Sequence, residues 1–538
     1  MKQLISGIRP KEYLERRTGL IRLVYLTQHF ISAPVKNMNK YFEKLQPYLD
    51  KAMALQTARN LFEWDDQTLA PFEAADYTSK VVGILSDEYM KSLINDDVRK
   101  LLKKLQDEKE QEDLTDTQKA IIKELGKTYE QLESIPPEEY RAFNELASVS
   151  SRKWAKAKKD NKFDDFAPYL KQVIEYKKKF AGYRVKGDKK PYEVLLYDYE
   201  ECFGIKELDT FFDKIKEDII PLLKEVTKKA ETIDKSYNYK NYDIQKQKEF
   251  CRFLSGYVGF DFNRGVIGES AHPFTMQLHN HDVRISDRYM EDNLESAMFS
   301  MIHESGHAIY EMNIDDSLTQ TLVGTGASMG MHEAQSRFYE NIIGRSTAFW
   351  EPIYEKLVET YPENLKDISL DHFIRGINKA APSLIRTEAD ELSYPIHIII
   401  RYEIEKMLFS EDVAVEDLPQ IWNKKYQEYM GITPSDDTTG ILQDTHWSWG
   451  EFGYFPSYAV GTAVASQIYA QMLEVMPIDE YLKQGNLTPI KEYLRDYIHK
   501  YGATKNTNQI LKDVTGEEFN AEHYIKYLKD KYSRLYDL

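Results

Sequence analysis

The segment His303-Glu304-Ser305-Gly306-His307 places two imidazoles four residues apart with a carboxylate between them. On a helix, positions i and i+4 share one face, a single turn apart. Both rings then reach one Zn²⁺ at about 2.0–2.1 Å. Steps of roughly 100° per residue set Glu304 about 60° round the helix from His307. There it lies beside the metal's water, outside the ligand set, and serves as general base, while the metal draws the pKa of that water towards ~7. Leu294, Met298, Ile302 and Ile309 recur at helical spacing around the motif, which is the context it requires. A catalytic zinc needs a third protein ligand and an open position. Glu333 lies in the next helical stretch, ending near Ile343, and a helix returning antiparallel to the first would set it opposite the two histidines. His332 is the rival from the same segment. A histidine six places after His307 is ruled out, because Asn313 stands there. Glu340 is expected to face solvent or to pair with a base.

The elements that must position these groups read mostly as helix. Residues 39–60 carry Tyr41, Leu45, Tyr48, Leu49 and Ala52 at helical spacing. Residues 97–135 predict a solvated helical pair, with Asp113, Thr115 and Asp116 offering the turn and cap between its members. Helices are expected to about residue 182, over 207–232 and over 244–257, with a Gly/Lys/Pro loop at 184–191. Residues 258–290 differ: Phe274–Leu278 and Val283–Ser286 read as short strands of a small sheet. A Gly- and aromatic-rich loop is expected at about 440–461. Most of the 12 histidines fall between His272 and His446, which marks this region as the site.

Composition narrows the function. Lys+Arg is 71 and Asp+Glu 88, a net charge of −17, which argues against nucleic acid or anionic membranes as partners. The two cysteines, Cys202 and Cys251, cannot build a disulfide scaffold and suit a reducing cytoplasm. No run of about 18 apolar residues predicts a membrane span. Residues 1–37 scatter Arg and Lys among apolar positions and lack both the apolar core and the cleavage site of a signal peptide. They are expected to be an extension, either not native or disordered, with Met38 as the start of the protein proper. Residues 38–538 are expected to form a single catalytic domain with its zinc-site region at about 260–460.

Several further motifs occur in order. They are His272-Pro273-Phe274, Asp282-Val283-Arg284-Ile285-Ser286, His332-Glu333, Ile385-Arg386-Thr387-Glu388-Ala389-Asp390, and Gly440 to Trp447 with Gln443, Asp444 and His446. With the zinc motif, this set resembles the carboxypeptidase Taq family of zinc metallocarboxypeptidases. Trp64-Asp65 with Gln67, Thr68 and Pro71, and Pro191-Tyr192 through Tyr199-Glu200, extend the likeness over roughly residues 40–530. The departures are Ser286, where the family has Thr, and Phe72-Glu73, where small residues are expected. The resemblance implies a mainly α protein: a large helical body with a deep active-site groove and a small β-sheet next to the zinc-binding helix, related to neurolysin and angiotensin-converting enzyme. It further implies a homodimer that removes C-terminal residues from peptides with broad specificity, using Zn²⁺ for which Co²⁺ can substitute.

A carboxypeptidase must hold the terminal carboxylate, and an Arg fork does so through charge-assisted bonds. Arg386 is the first candidate and Arg284 the second; an ion pair of Arg386 with Glu388 or Asp390 is the structural alternative. The oxyanion needs a positioned donor, for which Tyr458 is preferred over Tyr454 in the Gly450–Gly461 loop. His446 with Asp444 is expected either to orient a metal ligand or to contact substrate. His272 and Asp282 are expected to shape the groove wall. His372 and His397 read as ordinary surface or core residues, and Trp447 and Trp449 as packing or groove lining. Two other functions compete. An oligo-endopeptidase on the same zinc site would cleave amidated peptides, and a helical binding protein with a relict site would not need Glu304.

Overall fold

The computed structural model describes residues 39–410 and 413–538. The expected extension, residues 1–37, and Met38 lie outside them. The chain enters through α1 (Lys40–Thr68), capped by Asn39, whose side chain accepts from the Tyr41 and Phe42 amides. α1 packs as a hairpin on α2 (Ala75–Leu93). The charged stretch that follows resolves into α3 (Asp96–Leu105) and α4 (Asp116–Leu132). Thr115 caps α4 as expected, in a reciprocal box with Gln118. Leu45, Leu49, Leu102, Ile122 and Leu125 bury one face each in a core of their own, while the opposite faces keep their charge, as an amphipathic stripe requires.

α5 (Pro137–Asp160), α6 (Ala167–Arg184), α7 (Ile205–Ala230) and α8 (Ile244–Val258) follow, within a few residues of the ranges their periodicity predicts. The sheet comes next. β1 (Gly265–Glu269) runs parallel to β3 (Asp282–Asp287), and β2 (Thr275–His279) pairs antiparallel with β3 and forms an edge, giving the order β1-β3-β2. β2 and β3 lie within a residue of the strands expected at Phe274–Leu278 and Val283–Ser286. β1 was not expected, because two of its five residues are glycine, which strands disfavour.

The sheet packs on α9 (Leu294–Met312), which is buried on nearly every side. α10 (Met329–Arg337) returns against α9 and continues into a π-helical turn, Phe338–Ile343. α11 (Tyr394–Ser410), α12 (Leu418–Met430), α13 (Pro456–Val475) and α14 (Glu522–Tyr536) close the body. The expected 440–461 loop is shorter than its Gly and aromatic content suggested. His446–Trp449 forms one helical turn, and α13 starts at Pro456, so Tyr458 stands in the first turn of a helix. Proline at a helix start needs no N–H and has its φ already set, which explains the boundary. No helix among the described residues is long and apolar enough to cross a membrane.

Candidate metal centre and groove

α9 carries His303 and His307 on one face, and α10 brings Glu333 to them. Ligand atoms of the three lie within 4.8 Å of one another, and among the described residues no other group of three metal-binding side chains converges this way. Glu333 Oε2 stands 3.8 Å from His303 Nε2 and 3.6 Å from His307 Nε2. The approach of α10 depends on Gly306, inside the motif itself: a Cβ there would fall 2.7 Å from Ser336 Cα and 2.9 Å from the Gln335 carbonyl oxygen. From the other side, Gly461 on α13 admits Glu333, whose Cβ would lie 2.7 Å from any Cβ at that position.

Both imidazoles spend Nδ1 on an outer partner, which turns Nε2 inward. His303 Nδ1 meets Glu340 Oε2 at 2.8 Å. His307 Nδ1 meets His332 Nδ1 at 2.6 Å, and His332 Nε2 meets Glu311 Oε1 at 2.7 Å. A consistent set of protons runs through the latter chain: His307 Nδ1–H donates to His332, and His332 Nε2–H donates to the Glu311 carboxylate. Outer carboxylates and imidazoles of this kind fix the tautomer and orientation of metal-binding histidines. His332 is thus bonded to His307 Nδ1 and lies outside the converging trio, which Glu333 completes. Glu340 is buried, contrary to a solvent-facing role, and pairs with bases: Arg337 Nη1 at 2.9 Å and Arg345 Nη2 at 3.4 Å. Burial opposes its ionisation, but Arg337, His303 and Arg345 outweigh burial and hold the carboxyl well below the usual range. Burial, with His332, His303 and Arg337 beside it, pushes His307 well below its ordinary pKa. The donor set of two neutral-capable imidazoles and a carboxylate, all aimed inward, fits a divalent metal.

Glu304 is buried next to this trio. Its Oε2 accepts from Thr275 Oγ1 on the edge strand at 2.6 Å, and the same hydroxyl donates to the Glu304 carbonyl at 3.1 Å. Burial raises its pKa, against the pull of His303 and the Thr275 hydrogen bond. Arg337 Nε donates to Glu333 Oε1 at 2.7 Å, and its guanidinium lies over the Tyr394 ring at 4.5 Å. Glu333, Arg337 and Glu340 recur at i, i+4 and i+7, a signal that could have revealed Arg337 in the sequence; Thr275, Glu311 and Tyr394 left none.

The other expected residues form two groups. Arg386 is buried, and its carboxylate partner is Asp444, neither Glu388 nor Asp390 of the structural alternative. Its Nε and Nη2 donate to Asp444 Oδ1 at 2.9 and 2.8 Å, and its Nη1 to the Tyr394 hydroxyl at 3.2 Å. Asp444 takes Arg401 Nε on its other oxygen at 2.7 Å. His446 Nε2 faces the Tyr458 hydroxyl at 3.3 Å, and burial pushes its pKa down to about 4. Asp444 and His446 thus bond to Arg386, Arg401 and Tyr458, and the partners at Nδ1 of His303 and His307 are instead Glu340 and His332. Tyr454 and Tyr458 meet edge-on at 5.2 Å, and the Arg386 guanidinium lies 4.9 Å from the Tyr458 ring. In the second group, Arg284 and Asp282 form a bidentate pair on β3 at 2.9 and 2.8 Å. His272 is exposed, and its carbonyl accepts from Ser270 Oγ. The Ser286 hydroxyl accepts from the Phe274 amide at 3.1 Å, so the hydroxyl that Ser shares with Thr is what ties the 272–274 segment to the sheet. Trp447 is buried and Trp449 exposed; His397 is a core residue bonded to Tyr426, and His372 lies at the surface.

Two imidazoles one helical turn apart, a carboxylate from the returning helix and a buried glutamate within the motif define a metal-dependent hydrolase site on a mainly helical scaffold. Residues 44–532 match the carboxypeptidase Taq (M32) metallopeptidases, and the chain belongs to that family. It is 45% identical over 480 residues to carboxypeptidase 1 of Bacillus subtilis, an alignment covering 88% of this chain and 95% of that one. The solved structure of the Pyrococcus furiosus carboxypeptidase superposes with a TM-score of 0.88 at 31% identity, covering 92% of this chain and 99% of the other. That of the M32 carboxypeptidase from Deinococcus radiodurans does so with a TM-score of 0.89 at 28% identity, covering 93% and 100%. The protein is a metallocarboxypeptidase, and its family implies a divalent metal and peptide substrates.

Proposed function

We propose that His303, His307 and Glu333 hold Zn²⁺ and that Glu304 is the general base and then the general acid for hydrolysis of the last peptide bond. The observation that carries this reading is the convergence of the three inward-facing ligands with Glu304 buried beside them. A zinc ion held there would supply Lewis-acid polarisation of the scissile carbonyl and lower the pKa of water towards ~7. Glu304, its pKa raised by burial, takes the proton of the attacking water and passes it to the leaving amine. Tyr458 donates its hydroxyl to the oxygen that develops negative charge. Arg386 binds the terminal carboxylate of the substrate. Asp444 and Tyr394 occupy three of its five N–H groups, which leaves one on each terminal nitrogen, the pair needed for a two-pronged bond. Arg284, Asp282, His272, His446 and Tyr454 line the groove on either side. Co²⁺ can take the place of zinc, residues 38–538 work as one catalytic unit, and the enzyme acts as a cytoplasmic homodimer.

The test combines one variant pair with one substrate pair. Glu304→Gln should retain metal and lose turnover by a factor of about 10² to 10⁴. Arg386→Ala should weaken hydrolysis of free-carboxylate peptides selectively. Wild-type turnover in Glu304→Gln would remove the assigned base. Equal losses on free and amidated peptides in Arg386→Ala would remove the assigned clamp.

A further inference from the structure

α11 presents an unusual polar face for a buried helix. Tyr394, Arg401 and Glu405 are spaced by seven and then four residues, which on a helix confines them to an arc of roughly 40°. Arg401 and Glu405 have 0% exposure. Buried charges persist only where partners satisfy them, and each of these residues has a partner on the same wall. Tyr394 takes Arg386, Arg401 takes Asp444, and Glu405 takes the turn that carries the groove tyrosines. Glu405 Oε1 accepts from Trp447 Nε1 at 2.7 Å. Its Oε2 accepts from the Gly453 amide at 2.8 Å and from the Tyr192 hydroxyl at 2.7 Å. Trp447 and Gly453 bracket the stretch between His446 and Tyr454, and Tyr458 follows one turn into α13.

We propose that Glu405 is the positioning residue of the substrate-facing wall: its carboxylate pins both ends of the 447–453 turn and so sets His446, Tyr454 and Tyr458 against Arg386. Two accepting oxygens are essential to this role; burial raises the Glu405 pKa to about 7, against the pull of the Trp447, Gly453 and Tyr192 donors. Indole and backbone N–H groups only donate, whereas a tyrosine hydroxyl can also accept. A glutamine at 405 offers one acceptor oxygen, and whichever way its amide turns, its NH₂ faces either Trp447 Nε1–H or the Gly453 N–H. One end of the turn is released in both cases. The inference rests on the proposal that Tyr458 and Arg386 meet the substrate.

The experiment compares the full-length, metal-loaded wild type with Glu405→Gln and Glu405→Asp, measuring kcat and KM on an N-blocked peptide with a free carboxylate, and metal affinity by chelator competition. Glu405→Gln should lose about tenfold or more in kcat/KM with metal affinity within a factor of two. Glu405→Asp, which keeps both acceptor oxygens, should recover part of the loss. Wild-type kcat/KM in Glu405→Gln, or a matching loss of metal affinity, overturns the proposal. If Glu405→Gln fails to fold, Trp447→Phe removes one donor from the turn and should show a smaller loss of the same kind; unchanged constants there overturn it as well. Tyr458→Phe separates the two readings. If it costs activity and Glu405→Gln does not, only the positioning role fails; if Tyr458→Phe is silent, the reading of the wall as substrate-facing fails first.

Discussion

Replacing Gly306 by alanine tests whether the metal site depends on backbone contact between α9 and α10. The added Cβ would meet Ser336 Cα at 2.7 Å and the Gln335 carbonyl oxygen at 2.9 Å. Ordinary contacts between heavy atoms fall at about 3.5–4.0 Å, so α10 must retreat by roughly 1 Å. Neither atom can rotate away, since both belong to the backbone. Glu333 rides on that helix one turn earlier, and metal–ligand distances tolerate only about ±0.2 Å. Metal affinity should therefore fall by about 10- to 100-fold, the range seen when support for metal ligands is disturbed. Stability of the metal-free protein should fall by about 1–3 kcal/mol through overpacking, less the ~1 kcal/mol by which alanine is the better helix former. The assay is competition with a coloured chelator, alongside thermal unfolding of the metal-free protein. Gly83→Ala is the control: Gly83 lies inside α2, and nothing stands within 4 Å of its Cβ position. It should gain about 0.5–1 kcal/mol and leave metal affinity unchanged. A folded Gly306→Ala protein with wild-type metal affinity would refute the reasoning, since α10 would then have moved without carrying Glu333.

Two further predictions concern pH. Thr275 Oγ1 donates to the Glu304 carboxylate and favours its charged form. Thr275→Val should raise the Glu304 pKa and move the acid limb of the kcat/KM profile to higher pH, with activity at low pH lost first; an unmoved limb would show that this bond does not tune the base. His499 is buried between Asn313 Nδ2 at 3.1 Å and Gln335 Oε1 at 2.9 Å, and burial pushes its pKa down to about 3. The unfolded chain, with His near ~6.5, binds the extra proton between those values, so the stabilisation is present above about pH 6.5 and is lost as pH falls towards 3. His499→Gln should flatten this part of the stability–pH curve in denaturant titrations, and an unchanged slope would place the proton elsewhere.

Much of this arrangement was legible in the sequence, and the boundary of what was legible has a physical cause. The helical body followed from apolar periodicity, and the cap at Thr115 from local side-chain chemistry. The trio His303, His307 and Glu333 followed from the face of one helix and the return of the next. Apart from Glu333, which lies 26 residues after His307 and depends on the expected return, these are relations within a turn or two of chain. The partners of Arg386 and Glu405, and the bond of Glu340 to His303, are of another kind. Asp444 is 58 residues from Arg386, and Trp447 is 42 from Glu405. Periodicity shows that such a side chain faces inward, but the element it meets depends on tertiary packing. Hence the sequence left Glu388 or Asp390 as the ion-pair alternative for Arg386, and left Glu340 open between solvent and a base. β1 escaped for a simpler reason, since glycine carries almost no strand signal.

The same division separates two kinds of support in the molecule. The proposed metal-binding trio rests on close backbone packing, with Gly306 and Gly461 admitting Glu333 from both sides, and on outer partners that α10, its π-helical extension and α9 themselves supply. The wall with Arg386, His446, Tyr454 and Tyr458 rests on the polar face of α11, through bonds that cross long stretches of chain. Damage to the first should appear in metal affinity, and damage to the second in the constants for the peptide. On the proposed mechanism both supports must be stiff, because the scissile bond would be placed by two anchors at once: the carbonyl at the metal and the terminal carboxylate at the wall. If either anchor drifts by about 1 Å, the two cannot be satisfied together by a substrate whose last residue has a fixed length. That requirement accounts for charged residues buried on α11, where apolar side chains would pack at lower cost but would leave the turn at 447–453 free to move.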